Sequence, residues 1–88
     1  MDANHSICYE PRFDQELNGI ESNVTRADEF MRGIEWALKR NPAGGKLIGN
    51  DIYSRLMSDS DKLPNLIVYY KFDDVKIYMI SIINSDEL

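Results

Sequence analysis

The stretch 63–83, LPNLIVYYKFDDVKIYMISII, constrains this chain more than any other part of it. It reads as two long strands, 66–72 and 75–83, folded back at Asp73-Asp74. Both runs are rich in β-branched and aromatic residues, and the acidic pair between them is turn chemistry. With a two-residue turn, Phe72 faces Val75, Tyr70 faces Ile77 and Val68 faces Met79, and Leu66 shares their side of the hairpin. The other side then carries Ile67, Tyr69, Lys71, Lys76, Tyr78, Ile80 and Ile82. Neither side is polar enough to be fully wetted. One is expected to pack under helices and the other to await a partner.

The helices that could do the covering lie upstream. Residues 1–5 read as a loose tail and 6–10 as a short strand, with Ile7 and Tyr9 on one side and Cys8 on the other. Pro11 suits the first turn of a helix, because its fixed φ is helical and its missing N–H would go unused there. Phe13, Leu17 and Ile20 follow as one apolar stripe on a helix ending near Glu21. A second helix is expected over 26–40, opened by a capping box from Thr25 to Asp28. Its stripe is Ala27, Phe30, Met31, Ile34, Ala37 and Leu38. Lys39 and Arg40 complement the negative end of the helix, and Asn41-Pro42 stops it. Trp36 falls off the stripe, among Glu29, Arg32, Gly33 and Arg40. The reading favours cover by the first helix or the glycine loop, with a contact to another chain as the alternative.

Residues 43–50 read as a glycine loop. Its GGK is not a phosphate-binding loop, since Leu47 stands where Ser or Thr is required. Residues 51–57 alternate as a third strand, with Ile52 and Leu56 on one side and Tyr53, Arg55 and Met57 on the other. A polar connector, 58–63, leads into the hairpin. The order of elements is that of one α+β domain, residues 1–88, with two helices on one face of an antiparallel sheet.

Composition narrows the function. Net charge is -5 and the sequence pI about 4.7, which disfavours nucleic acid as the main partner, because gripping a phosphate backbone takes clustered Lys and Arg. Cys8 is the sole cysteine, so no internal disulfide can form, and a reduced cytoplasm is the simplest compartment. No secretory leader and no membrane-spanning segment is legible. His5, the single histidine, lies in the tail and is expected to be solvated, and Cys8 to be a buried, inert thiol. Asp73-Asp74, Asp59 and Asp61 read as turn and connector residues. No nucleophile, base and orienter assemble from spacing, and no metal or cofactor is expected.

The segments IEWALKRNPAGG (34–45), NDIYSRLM (50–57) and LPNLIVYYKFDDVKIYMISI (63–82), in that order, resemble the RelE/ParE superfamily, the plasmid-stabilisation-like toxins of bacterial type II toxin–antitoxin pairs. The likeness covers roughly residues 9–83. The resemblance implies a helical hairpin packed on one face of a three- to four-stranded antiparallel sheet. It also implies an antitoxin chain as partner, and either ribosome-dependent messenger-RNA cleavage or inhibition of DNA gyrase as the activity. Cleaving members carry an Arg near the start of the penultimate strand and a His or Arg, often followed by a Tyr, after the last one. Here Ile67 occupies the first place, and Ile83-Asn84-Ser85-Asp86-Glu87-Leu88 offers no cation or phenol at the second. Charge developing on an attacked phosphate would lack its stabilising cations.

The expected function is therefore protein binding through Ile67, Tyr69, Lys71, Lys76, Tyr78, Ile80 and Ile82, with Trp36 as an additional contact. An antitoxin is the expected partner, with a gyrase-type target beside it and a homodimer as the other way to cover the face. The alternatives are an inactive relic, or an endoribonuclease that has relocated its cations to Lys46, Arg55, Lys71 and Lys76, with Tyr69 or Tyr78 moving protons or stacking on bases.

Overall fold

In the computed structural model, which describes residues 6–57 and 65–85, the chain runs Ser6–Tyr9 (β1), Pro11–Ile20 (α1), Val24–Arg40 (α2), Lys46–Gly49 (β2), Ile52–Met57 (β3), Leu66–Phe72 (β4) and Lys76–Asn84 (β5). The tail with His5, the connector with Asp59 and Asp61, and residues 86–88 lie outside the described part. The strands form a single sheet in the order β1-β5-β4-β3-β2. Strand β1 runs parallel to β5, and the remaining neighbours are antiparallel.

The α+β class and the two helices are as expected, but the sheet has five strands and is mixed, where three or four antiparallel strands were expected. Strand β2 is the addition. Its glycines make it read as loop, yet Lys46 and Leu47 pair with Ser54 and Tyr53. The reversal behind it runs through Gly49, Asn50 and Asp51, all at positive φ (140°, 41° and 67°). Glycine, Asn and Asp tolerate that region best. Strand β1 becomes parallel to β5 because the helical pair carries the chain from one edge of the sheet to the other before β2 begins.

Both helices start where local chemistry allows. Pro11 opens α1. The Asn23 side chain caps α2, its Oδ1 accepting the Arg26 N–H at 3.1 Å. The Thr25–Asp28 capping box does not form, because Asn23, among the strongest N-cap residues, starts the helix earlier. At the far end Pro42–Gly44 tightens into a 3-10 turn. The amphipathic stripes then meet the sheet. Phe13 of α1 and Met31, Ile34 and Leu38 of α2 are buried against Leu66, Val68, Tyr70, Ile77, Met79 and Ile82. Burial of each such side chain contributes roughly 1.5–3 kcal/mol.

The hairpin departs from the expected register twice. Its turn takes in two further residues, Val75 and Lys76, both on the β5 side, so Phe72 faces Ile77 and Tyr70 faces Met79. A shift of two residues keeps every side chain on its face. Asp73 builds this turn, its Oδ1 accepting the N–H groups of Val75 (2.8 Å) and Lys76 (2.7 Å). The second departure has consequences. Tyr69 faces Ser81 while Tyr70 faces Met79, so Ile80 is an extra residue, a β-bulge. Beyond it the alternation is inverted, and Ile82 lies opposite Val68, 1% exposed in the core. Ile82 therefore does not belong to the outer face, as the unbroken alternation predicts. Ile83, opposite Ile67, takes its place.

The bulge also solves an edge problem. Strand β1 covers β5 only as far as Met79. Past that point Glu16 of α1 accepts the Ser81 hydroxyl at 2.6 Å and the Ile82 N–H at 3.2 Å. Partial burial alone would raise the Glu16 pKa. The Ser81 hydroxyl, the Ile82 N–H and the Arg12 guanidinium outweigh it and hold the carboxyl below the usual glutamate range.

Candidate functional site: the helix-free sheet face

Register assigns the face turned away from the helices. Across its middle run Lys46, Ser54 and Tyr69 as successive cross-strand partners, while Ser81, opposite Tyr69 at the bulge, is buried with its hydroxyl on Glu16 of α1. On one side of that row lie Leu56, Ile67 and Ile83. On the other lie Lys71, Tyr78 and Cys8, and at the corner Lys76 beside Ser6. Leu56 is 61% exposed. Ile67, Tyr69, Tyr78, Ile80 and Ile83 are half-buried, while Lys46, Lys71 and Lys76 are exposed. Cys8 is half-buried on this face, where a buried thiol was expected. The half-burial has a simple cause: neighbouring strands shield the stems of these side chains, and the two described α-helices pack on the opposite side of the sheet.

The polar groups of the face are held by near neighbours. The Lys71 ammonium sits 5.4 Å from the centre of the Tyr78 ring, close enough for cation–π attraction. The Tyr78 hydroxyl donates to Asp73 Oδ2 at 3.3 Å. The Asp73 carboxyl is held below the usual aspartate range, first by the Lys76 N–H, then by the Val75 N–H and the Tyr78 hydroxyl, with the Lys76 charge adding to them.

The expected face residues Ile67, Tyr69, Lys71, Lys76 and Tyr78 thus share one surface, Ile80 sits partly exposed at the bulge, and Ile82 is withdrawn into the core. Leu56 was legible as an alternating strand residue, but its face became definite only once β3 paired with β4. Ile83 gave no signal, because nothing in the sequence marks the bulge. Trp36 is elsewhere, on α2. Neither α1 nor the glycine loop covers it, and it is 62% exposed with the Arg40 guanidinium 4.7 Å from its ring centre.

The four candidate cations do not converge. Arg55 pairs with Val68, which places it on the helix side, and its Nη1 donates to the Ala37 and Asn41 carbonyls at 3.4 Å each. It caps the carbonyl end of α2, with the sheet between it and Lys46, Lys71 and Lys76. A single phosphate cannot meet both sides. Nearby, Tyr70 donates its hydroxyl to the Pro42 carbonyl at 2.6 Å, and burial pushes its pKa up.

Two further concavities lie on the helix side. One, of about 420 Å³, separates α2 from β3 and is lined by Phe30, Gly33, Ile34, Arg55 and Met57, among others. The other, of about 350 Å³, lies between the helices at Asp14, Asp28 and Glu35, where the Tyr9 hydroxyl donates to Glu35. Among the described residues no group of three or more His, Cys, Asp or Glu is placed to hold a metal ion. No described helix is long and apolar enough to cross a membrane.

Fold and face together define a class: a small α+β domain whose helices cover one side of a five-stranded mixed sheet, with an apolar, lysine-bearing surface on the other. Compared with known proteins, the chain matches no family model and no curated protein.

Proposed function

We propose that this chain is a RelE/ParE-like toxin-module protein that works by binding another protein through its helix-free sheet face, and does not cleave RNA. The partner is an antitoxin-type chain, with a gyrase-type target as the second candidate. The observation that carries the reading is Ile67. Where RNA-cleaving members of that superfamily carry an Arg, this chain has a half-buried isoleucine flanked by Leu56 and Ile83, with Tyr69 in the next row of the same face. Apolar side chains with an aromatic among them suit the centre of a protein interface better than a phosphate site. The position of Arg55, across the sheet from the lysines, weighs against the relocated-cation alternative.

Tyr69→Ala tests the reading. It should leave the fold intact, costing under about 1 kcal/mol of cross-strand packing. It should weaken association with the product of a flanking small antitoxin-type reading frame by about 2 kcal/mol or more, the scale of an interfacial aromatic anchor. In a translating extract the purified protein should leave messenger RNA intact. Codon-specific cuts would overturn the proposal.

A further inference from the structure

Strand β2 pairs with β3 only as far as Ser54, so among the described residues no strand lies along the outer side of Arg55, Leu56 and Met57. Helix α2 passes there, and the two elements bound the cleft of about 420 Å³, a volume in the ordinary range of small-molecule sites. Gly33 keeps it open, since a Cβ there would meet nothing within 4 Å. The walls are apolar: Phe30, Ile34, Leu56 and Met57. Leu56 is exposed, and Phe30 and Met57 are only half-buried, so apolar surface is left facing water.

Arg55 is the cation of this cleft. It is half-buried, and its Nη1 reaches the Ala37 and Asn41 carbonyls at 3.4 Å each, long beside the usual ~2.7–3.2 Å of an N–H···O bond. The ion pairs among the described residues are Arg12–Glu16 and Arg26–Glu21, and Arg55 has no carboxylate. A guanidinium presents a planar fork of donors that fits a carboxylate, and such a charge-assisted pair is stronger than contacts to neutral carbonyls. Glu29, the acid of the lining, lies roughly 12 Å before Ala37 along the helix, at ~1.5 Å per residue. One end of the cleft is therefore positive, its middle apolar and its other end negative.

We propose that this cleft binds an apolar monocarboxylate of the medium-chain fatty-acid class, its carboxylate on the Arg55 guanidinium and its chain along Phe30, Ile34 and Met57 over Gly33. Glu29 narrows the class, because a second carboxylate at the far end of the ligand would meet its charge. A small acid is favoured over an added peptide strand because Arg55, Leu56 and Met57 offer a shorter edge than the typical strand of about 5–6 residues. The cleft opens on the helix side, so this ligand is separate from the sheet-face contact proposed above.

The test titrates octanoate, octanol, octylamine and octanedioate, all below micellar concentrations, into the isotope-labelled full-length protein. Octanoate should shift the resonances of Gly33, Arg55 and Met57 with a Kd below about 1 mM, and bind roughly tenfold or more tightly than each of the other three. In R55Q, which keeps N–H donors for the two carbonyls and drops the charge, octanoate should bind no better than octanol. In G33L, whose new side chain enters the cleft, the shifts should vanish while circular dichroism shows the fold retained. Absence of saturable shifts with octanoate, equal binding of octanoate, octanol and octylamine to the wild type, or unchanged binding to G33L would each overturn the proposal. The wild-type ranking decides the matter even where a variant fails to fold. A capped, uncharged valine-rich peptide serves as a further ligand: shifts at Arg55 to Met57 with it and none with octanoate would make this a strand-pairing edge and overturn the assignment.

Discussion

The sharpest test of this structure is a pair of substitutions one residue apart, Ile82→Ala and Ile83→Ala. Without the bulge at Ile80, strict alternation from Met79 would carry Ile83 into the core and leave Ile82 outside. With it, Ile82 is 1% exposed opposite Val68, and Ile83 is half-buried opposite Ile67. Truncating Ile82 removes three carbons, roughly 2.4 kcal/mol at about 0.8 kcal/mol per methylene. The cavity left in a close-packed core adds to that, so about 3–4 kcal/mol is expected, inside the ~2–5 kcal/mol range for such truncations. Ile83 is shielded on one side only, and its truncation should cost about 1 kcal/mol or less. A domain of this size holds only about 4–13 kcal/mol in total, so the first variant loses a large share of its stability and the second little. Urea unfolding followed by circular dichroism reads the difference directly. With a slope near 1 kcal/mol/M, Ile82→Ala should lower the midpoint by about 3 M and Ile83→Ala by about 1 M or less, with unchanged slopes. Equal shifts, or a larger shift for Ile83→Ala, would refute the bulge and with it the membership of the open face.

Other expectations follow from single contacts. Glu16→Gln keeps the shape of the β5 edge cap but removes its charge, and should cost about 1–2 kcal/mol near neutral pH. Because the folded-state pKa of Glu16 is depressed, its contribution is complete above the ordinary glutamate value and is lost as pH falls through the folded one. The gap between wild type and Glu16→Gln in thermal unfolding should therefore close on acidification. Gly45→Ala places a Cβ 2.6 Å from the Tyr70 hydroxyl and 2.8 Å from the Ser54 carbonyl oxygen, and should destabilise by about 1–3 kcal/mol. Gly33→Ala is the opposite case: its Cβ meets nothing within 4 Å, so the gain in helix propensity should stabilise the protein by about 0.5–1 kcal/mol and raise the midpoint of thermal unfolding.

Much of this molecule was legible in its sequence. Pro11 and the Phe13/Leu17/Ile20 stripe placed α1, and the Ala27-to-Leu38 stripe with its Asn41-Pro42 stop placed α2. The bounds of β4 and the inward face of Leu66, Val68, Tyr70, Ile77 and Met79 followed from alternation alone. These features are local: periodicity and caps are set by residues a few positions apart, which a sequence displays directly. The outer face was legible to the same depth, as far as Ile67, Tyr69, Lys71, Lys76 and Tyr78.

What the tertiary structure alone decided depends on residues distant in the chain. Lys46–Gly49 has no strand pattern of its own and becomes β2 only because β3 offers it an edge. Strand β1 acquires its parallel partner only when the helices have crossed the sheet. Ile80 bulges where β1 stops covering β5 and Glu16 takes over the Ser81 hydroxyl and the Ile82 N–H, a contact 65 and 66 residues apart. That one extra residue exchanges Ile82 for Ile83 on the open face, because side chains alternate with a period of two and any odd insertion inverts them. Arg55 likewise reads as one cation among several until pairing puts it on the helix side, against the Ala37 and Asn41 carbonyls. Identity and spacing determine which elements form. Which face each side chain finally occupies is a property of the assembled sheet.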